Sequence, residues 1–308
     1  MSKTALLFAG QGAQVVGMGK TFAENLPAAK AWFDRANATL GYDLAAICLQ
    51  GPESELVKTE NAQPGIFLVS WIAFQLLKEK VPNLKFEAAA GLSLGEFTAL
   101  CAADVMNFED AIKLVRQRGR FMQEACEATH GGMAAVIGLD EAPTREVCAE
   151  AGVVLANLNC PGQLVISGET GKISKACELA KAKGARKAIP LSVAGAYHSP
   201  LMAGAQAKLQ TALGQIALHP PSVPVISNVT AAPHQGVEDI RARLVEQVTS
   251  SVRWEESMRY LLSQGFTRFI ELGPGTALSG FMKRINKAAQ MFNVADVQSL
   301  EQTVAAFA

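Results

Sequence analysis

Apolar positions along the chain alternate between two periods, and the alternation sets the expected order of elements. Residues 5–8 form an unbroken apolar run that stops at Gly10-Gln11-Gly12. That pattern predicts a buried strand entering a loop. Helical patterning follows to about residue 80. It is clearest over 64–80, where Phe67, Trp71, Phe74 and Leu77 recur at spacings of three and four. The compact stretch at 86–92 (FEAAAGL) leads through Ser93 into a predicted helix over 95–103. Asn107 has the character of an N-cap, with Asp110 in the first turn of a helix reaching about residue 128.

The pattern changes at Gly131-Gly132. Strands are predicted over 133–139, 153–157, 163–167 and 187–193, and helices over 142–151 and 172–183, with a turn at Pro161-Gly162. The order β-α-β-β-α-β is that of a small split βαβ unit. Past His198 the larger pattern resumes, with strands over 223–229 and 266–272 and helices over 236–247, 255–264 and 276–287. The expected fold is therefore α/β, a mainly parallel sheet flanked by helices. Residues 1–130 and 199–308 would form the large domain, and 131–198 an inserted subdomain. No internal repeat or low-complexity tract interrupts this plan.

Composition narrows the function classes. Lys and Arg number 28, as do Asp and Glu, so the 308-residue chain has no net charge. Without a global positive field it is a poor dedicated nucleic-acid binder. Six cysteines at 48, 101, 126, 148, 160 and 177 include no CxxC pair, which argues against a zinc ribbon or a thioredoxin-type site. Reduced, mostly buried thiols are expected. No segment reaches 18 apolar residues, and the start of the chain is too short for a signal peptide. The expectation is a cytoplasmic protein.

Candidate chemistry centres on Gly91-Leu92-Ser93-Leu94-Gly95, a GxSxG at a predicted strand-to-helix turn. Such a turn thrusts a serine hydroxyl outward at a helix N-terminus and leaves the next backbone N–H free for an oxyanion. The same residues also fit a tight turn with an inert serine. A nucleophilic serine needs a base, and the chain has four histidines. His219 and His234 lie beside prolines and read as loop residues, and His130 opens the Gly131-Gly132 linker. His198 follows a strand end, where sites gather in open α/β sheets. In the helix after Asn107, Ala111, Leu114, Val115, Met122 and Ala125 form an apolar stripe on which Arg118 falls. A guanidinium there requires an acceptor. Either an internal salt bridge or a substrate carboxylate would serve. Gly10-Gln11-Gly12 lacks the third glycine of a dinucleotide fingerprint, since position 15 is Val15. Gly273-Pro274-Gly275 reads as a tight turn. Lys283, Arg284 and Lys287 read as a solvated basic cluster or a docking patch.

Seven segments together resemble the malonyl-CoA:acyl-carrier-protein transacylase family, over nearly the whole chain. In order they are LLFAGQGAQVVGMG, GLSLGEFTALCAA, LVRQRGRFMQEA, NCPGQLVISG, AYHSPLM, VEQVTSSVRWEESM and IELGPGTALSGFMKRI. The resemblance implies an α/β hydrolase-like core with a ferredoxin-like insertion. It implies Ser93 as acyl-accepting nucleophile, His198 as base, and Gln247 holding that base through its backbone carbonyl. Gln11 and Leu94 would supply backbone N–H groups to the oxyanion, and Arg118 would bind the malonyl carboxylate. Tyr197, beside the base, would disfavour an α-methyl branch. Many members carry His where this chain has Leu92, which removes a polar neighbour but none of the reacting groups.

The activity so implied is malonyl transfer from malonyl-CoA to an acyl carrier protein through a malonyl-serine, with no metal or bound cofactor, in a monomer that touches neither nucleic acid nor membrane. A polyketide carrier, hydrolysis by a serine thioesterase or esterase, and a non-catalytic carrier scaffold are the competing readings.

Overall fold

A computed structural model describes residues 2–307. Two sheets organise it. The larger contains β1 (Lys3–Phe8), β2 (Ala88–Gly91), β7 (Val225–Ile226), β8 (Phe266–Leu272) and β9 (Gln290–Val294), in the order β7-β2-β1-β8-β9. All its neighbours are parallel. The unbroken apolar run in β1 follows from its central place, since both faces are covered. Leu6 and Phe8 pack with helices Thr59–Lys80 and Phe108–Glu127. Ala5 and Leu7 pack on the other face with Trp254, Met258, Leu278 and Met282.

The smaller sheet contains β3 (Gly131–Ile137), β4 (Val154–Cys160), β5 (Gln163–Glu169) and β6 (Lys187–Pro190), in the antiparallel order β4-β5-β3-β6. That is the ferredoxin-like arrangement. Helices Glu141–Ala151 and Thr170–Ala182 cover it around its own apolar cluster. An α/β hydrolase-like core with this second unit is the fold the sequence implied.

Several elements differ in extent from the sequence pattern. The helix expected from Pro64 begins at Thr59, because Thr59, Ala62 and Gln63 are buried where a second helix crosses close by. A Cβ on Gly119 of that second helix would stand 2.5 Å from the Thr59 carbonyl oxygen, so tertiary contact overrides the proline signal. The strand expected over 223–229 shrinks to Val225–Ile226. Beyond it the chain closes a turn in which Ser227 N–H donates to Ala232 O and Ala231 N–H to Ser227 O. The strand expected over 187–193 ends at Pro190. β9 and the last helix, Val297–Phe307, carry no clear sequence signal and extend the large sheet beyond β8.

The basic cluster is not simply solvated. Arg284 donates to Pro161 O at 2.5 Å and Gln163 Oε1 at 2.9 Å, pinning the β4–β5 hairpin to helix Ala277–Ile285. All six cysteines are buried and unpaired. Among the described residues no helix is long and apolar enough to cross a membrane.

The topology places the site. Phe8 at the end of β1 pairs with Gly91 at the end of β2. The Gln11 loop and the Ser93 turn therefore leave the sheet side by side at the carboxyl ends of its strands.

Candidate active site

Ser93 occupies a strained turn between β2 and helix Leu94–Ala102. Its φ is 55° and ψ −107°, a conformation that only a tightly constrained non-glycine residue keeps. The flanking glycines explain how the turn closes. A Cβ on Gly91 would lie 1.9 Å from the Gly95 carbonyl carbon, and one on Gly95 would lie 2.2 Å from Phe8 O. Backbone meets backbone at both positions, so neither tolerates a side chain. We predict that Gly95→Ala lowers stability by roughly 3 kcal/mol or more, read as a drop in the urea midpoint, with loss of activity in the protein that remains folded.

The Ser93 hydroxyl sits 2.8 Å from His198 Nε2. His198 Nδ1 lies 2.9 Å from the backbone carbonyl of Gln247. A carbonyl accepts and never donates, so Nδ1 carries the proton and the Nε2 lone pair faces Ser93. Burial, and then the Arg118 charge, push the imidazole pKa down to about 4, against the opposing pull of the Gln247 and Ser250 backbone. At neutral pH it is an uncharged acceptor. His198 is itself held at φ 57°, a second strained residue at the same site.

Arg118 is fully buried on the apolar face of helix Phe108–Glu127. Its Nη2 donates to Ser93 Oγ at 3.0 Å and to Gln247 Oε1 at 2.9 Å, and its Nη1 donates to Gln63 Oε1 at 2.6 Å. Every one of these acceptors is neutral. Among the described residues Arg118 forms no ion pair, and its Nε has no partner. Burial lowers its pKa to about 10, with the more distant Glu96 carboxylate opposing. The internal salt bridge that the sequence left open is therefore absent. Three of the five guanidinium N–H donors are engaged, and two remain for an acceptor from outside.

The other expected residues converge here. Gln247 ends helix Val237–Gln247, and its side chain also reaches Ser93 O at 3.1 Å. Leu94 opens its helix, so its N–H has no intrahelical acceptor. Gln11 lies in the loop after β1 and exchanges long side-chain contacts with Gln63 at 3.4 Å and Tyr197 at 3.5 Å. The Tyr197 hydroxyl is 2.5 Å from Thr59 Oγ1, which fixes the ring beside His198. Burial pushes its pKa up to about 12. Leu92 is half-buried, and its carbonyl accepts from Gly95 N–H.

Three groups escaped the sequence reading. Asn228 receives Ser93 N–H on Oδ1 at 2.6 Å and donates Nδ2 to Gly91 O at 2.7 Å, clamping both sides of the turn. Gln63 links Arg118 to Gln11. His234, expected to be an ordinary loop residue, is instead buried with Nε2 2.9 Å from Glu96 Oε1. Asn228 and His234 lie on the turn beyond β7, where no periodicity marks them. The position of Gln63, one turn from the apolar stripe of its helix, was the one available hint.

A serine and a neutral imidazole on a strand–turn–helix of a parallel sheet, with an unpaired buried guanidinium beside them, define an enzyme that handles acyl groups. The acyl transferase domain family matches residues 5–304, and the chain belongs to that family, among its malonyl CoA-acyl carrier protein transacylases. The enzyme of that name from Bacillus subtilis is 45% identical over 99% of this chain and 97% of its own length. The crystal structure of the Xanthomonas oryzae enzyme superimposes with a TM-score of 0.96 at 40% identity, covering 100% of this chain and 99% of the other. A malonyl-transacylase solved in complex with a type II PKS acyl-carrier protein also gives 0.96, at 38% identity over 99% of this chain and all of the other.

Proposed function

We propose that this protein moves a malonyl group from malonyl-CoA to the phosphopantetheine thiol of an acyl carrier protein, through a malonyl ester on Ser93. The observation that carries the proposal is Arg118, a buried guanidinium whose Nη2 lies 3.0 Å from the serine oxygen and whose Nε has no partner. A simple esterase has no use for a cation there, whereas a substrate with a free carboxylate supplies its missing partner.

The hydroxyl accepts from Arg118 and donates to His198, so its proton already points at the base. His198 takes that proton as Ser93 Oγ bonds to the thioester carbonyl carbon. The resulting oxyanion is received by the N–H groups of Leu94 and Gln11, each worth about 3–4 kcal/mol of barrier. Gln247 O steadies the imidazolium in place of a carboxylate. Collapse breaks the carbon–sulfur bond, and CoA leaves with the proton from His198. The carrier thiol then attacks the ester by the same path, giving ping-pong kinetics. No metal or bound cofactor enters this scheme. A depression of about 360 Å³ lies beside His198, lined by Val229, Ser250, Ser251 and Arg253.

The substrate also tunes the base. In the free protein the Arg118 charge depresses His198. A malonyl carboxylate on Arg118 offsets that charge and raises the affinity of the imidazole for a proton. We therefore predict that kcat/KM, which reports the free enzyme, holds as pH falls through 6 and declines only towards about 4. The limb in kcat should lie at higher pH. Stopped-flow release of CoA across pH reads both.

Tyr197, locked by Thr59, disfavours methylmalonyl-CoA, although one methyl is worth only about 1–3 kcal/mol. The protein acts in the cytoplasm as a monomer, without nucleic acid or membrane, and supplies fatty acid synthesis. A polyketide carrier is the second reading, favoured by the 38%-identical transacylase solved with such a carrier. Mass analysis of Ser93 after exposure to malonyl-, acetyl- and methylmalonyl-CoA tests the proposal. A malonyl adduct that passes to added carrier protein supports it, and release of free malonate alone refutes transfer.

A further inference from the structure

Beneath the Ser93 turn lies a polar cluster that the transfer scheme does not touch. The Glu96 and His234 side chains are wholly sealed from solvent. His234 Nε2 donates to Glu96 Oε1 at 2.9 Å. Glu96 Oε2 accepts from Gln247 Nε2 at 2.7 Å and from Asn228 N–H at 3.0 Å. Those two partners then divide the site between them. Asn228 clamps the backbone on both sides of Ser93. Gln247 accepts from His198 Nδ1 and from Arg118 Nη2. A single carboxylate thus braces the nucleophile, the base and the guanidinium, each through one intermediary. On the far side, His234 Nδ1 lies 3.5 Å from Asp239 Oδ2, and Asp239 accepts from Gln235 N–H and Arg243 Nε. His234 Nδ1 itself makes no hydrogen bond, so the bonded network runs from His234 to the Ser93 turn.

We propose that His234, acting through Glu96, is a positioning residue that sets the mutual placement of Ser93 and His198. A buried carboxylate is tolerated only when its oxygens are paired. Without the Nε2–H donor, Oε1 is left unpaired and Glu96 turns towards its remaining donors on Gln247 and Asn228. Both are anchors of the reacting pair. A misplacement of about 1 Å costs on the order of 10²-fold in rate. The inference rests on the transferase reading for the role of the pair, but its test does not use malonyl transfer.

The test compares His234→Phe, which removes the donor, with His234→Gln, whose Nε2 reaches the same oxygen. Each is assayed for Ser93 sulfonylation by phenylmethanesulfonyl fluoride, for KM and kcat with malonyl-CoA, and for thermal midpoint. The expected result is sulfonylation slowed roughly ten-fold or more in His234→Phe, kcat falling with KM unchanged, and recovery of most of the rate in His234→Gln. A wild-type sulfonylation rate in His234→Phe overturns the proposal, as does His234→Gln as slow as His234→Phe. Should His234→Phe not fold, Glu96→Gln is read in its place. Slowed sulfonylation there supports the brace, and a wild-type rate overturns it. Failure of the transferase reading looks different: the unaltered protein is sulfonylated at Ser93 yet takes no malonyl group.

Discussion

Replacing His198 with Ala is expected to slow Ser93 acylation by roughly 10⁴-fold or more. The reason lies in the proton path. The hydroxyl already has a donor in Arg118 Nη2, and His198 Nε2 at 2.8 Å is its acceptor. Remove the imidazole and nothing receives the proton as the carbon–oxygen bond forms. The guanidinium proposed to bind the malonyl carboxylate is left in place, so KM for malonyl-CoA should change little. The N–H groups of Leu94 and Gln11, proposed as the oxyanion donors, are left in place, which sets a floor above the uncatalysed rate. Single-turnover release of CoA separates this outcome from a binding defect.

Replacing Arg118 with Ala should collapse the choice of substrate. On the proposed reading, acetyl-CoA leaves a buried guanidinium unpaired where malonyl-CoA pairs it. Sites built around a buried polar partner discriminate by about 10⁴. The variant should lose most of that ratio through a fall in kcat/KM for malonyl-CoA, with acetyl-CoA far less affected. Lys at this position restores charge but not the planar fork, and recovery should be partial. A second sign accompanies the first. Burial and, second to it, the Arg118 charge hold the His198 pKa down, so loss of Arg118 raises that pKa and moves the acid limb of kcat/KM part of the way towards the ordinary histidine range.

The elements that were legible in the sequence share a physical cause. β1 reads as a continuous apolar run because helices cover both its faces. Gly91 and Gly95 are legible because backbone fills the space a Cβ would need. Arg118 stands out because it interrupts a regular apolar stripe, and the stripe records the face that is buried. His198 was found by elimination and by its place after a strand. Residues held by tertiary closure were not legible. Asn228 follows a two-residue strand, too short for any alternation, and its value comes from meeting Ser93 across 135 positions of chain. Glu96 sits on a helix buried along its whole length, where a carboxylate looks anomalous until His234, Asn228 and Gln247 supply its donors. β9 was missed because its half-buried residues carry neither a clean alternation nor a full apolar run.

Strain and polarity concentrate in the same place. Ser93 and His198 both hold left-handed backbone, and the groups that secure them are Asn228 and the Gln247 carbonyl. The arrangement pre-organises a serine and a base that need not move to react. The Arg118 fork lies beside them, and on the proposed reading it decides which acyl chain is accepted.

A structure of the protein trapped with malonate esterified to Ser93 tests this account most directly. It should show the free carboxylate paired with Arg118 through two N–H donors at about 2.7–2.9 Å, and the ester carbonyl turned towards the N–H groups of Leu94 and Gln11. A carboxylate pointing to solvent, with Arg118 still bound to Gln63 and Gln247 alone, would contradict it.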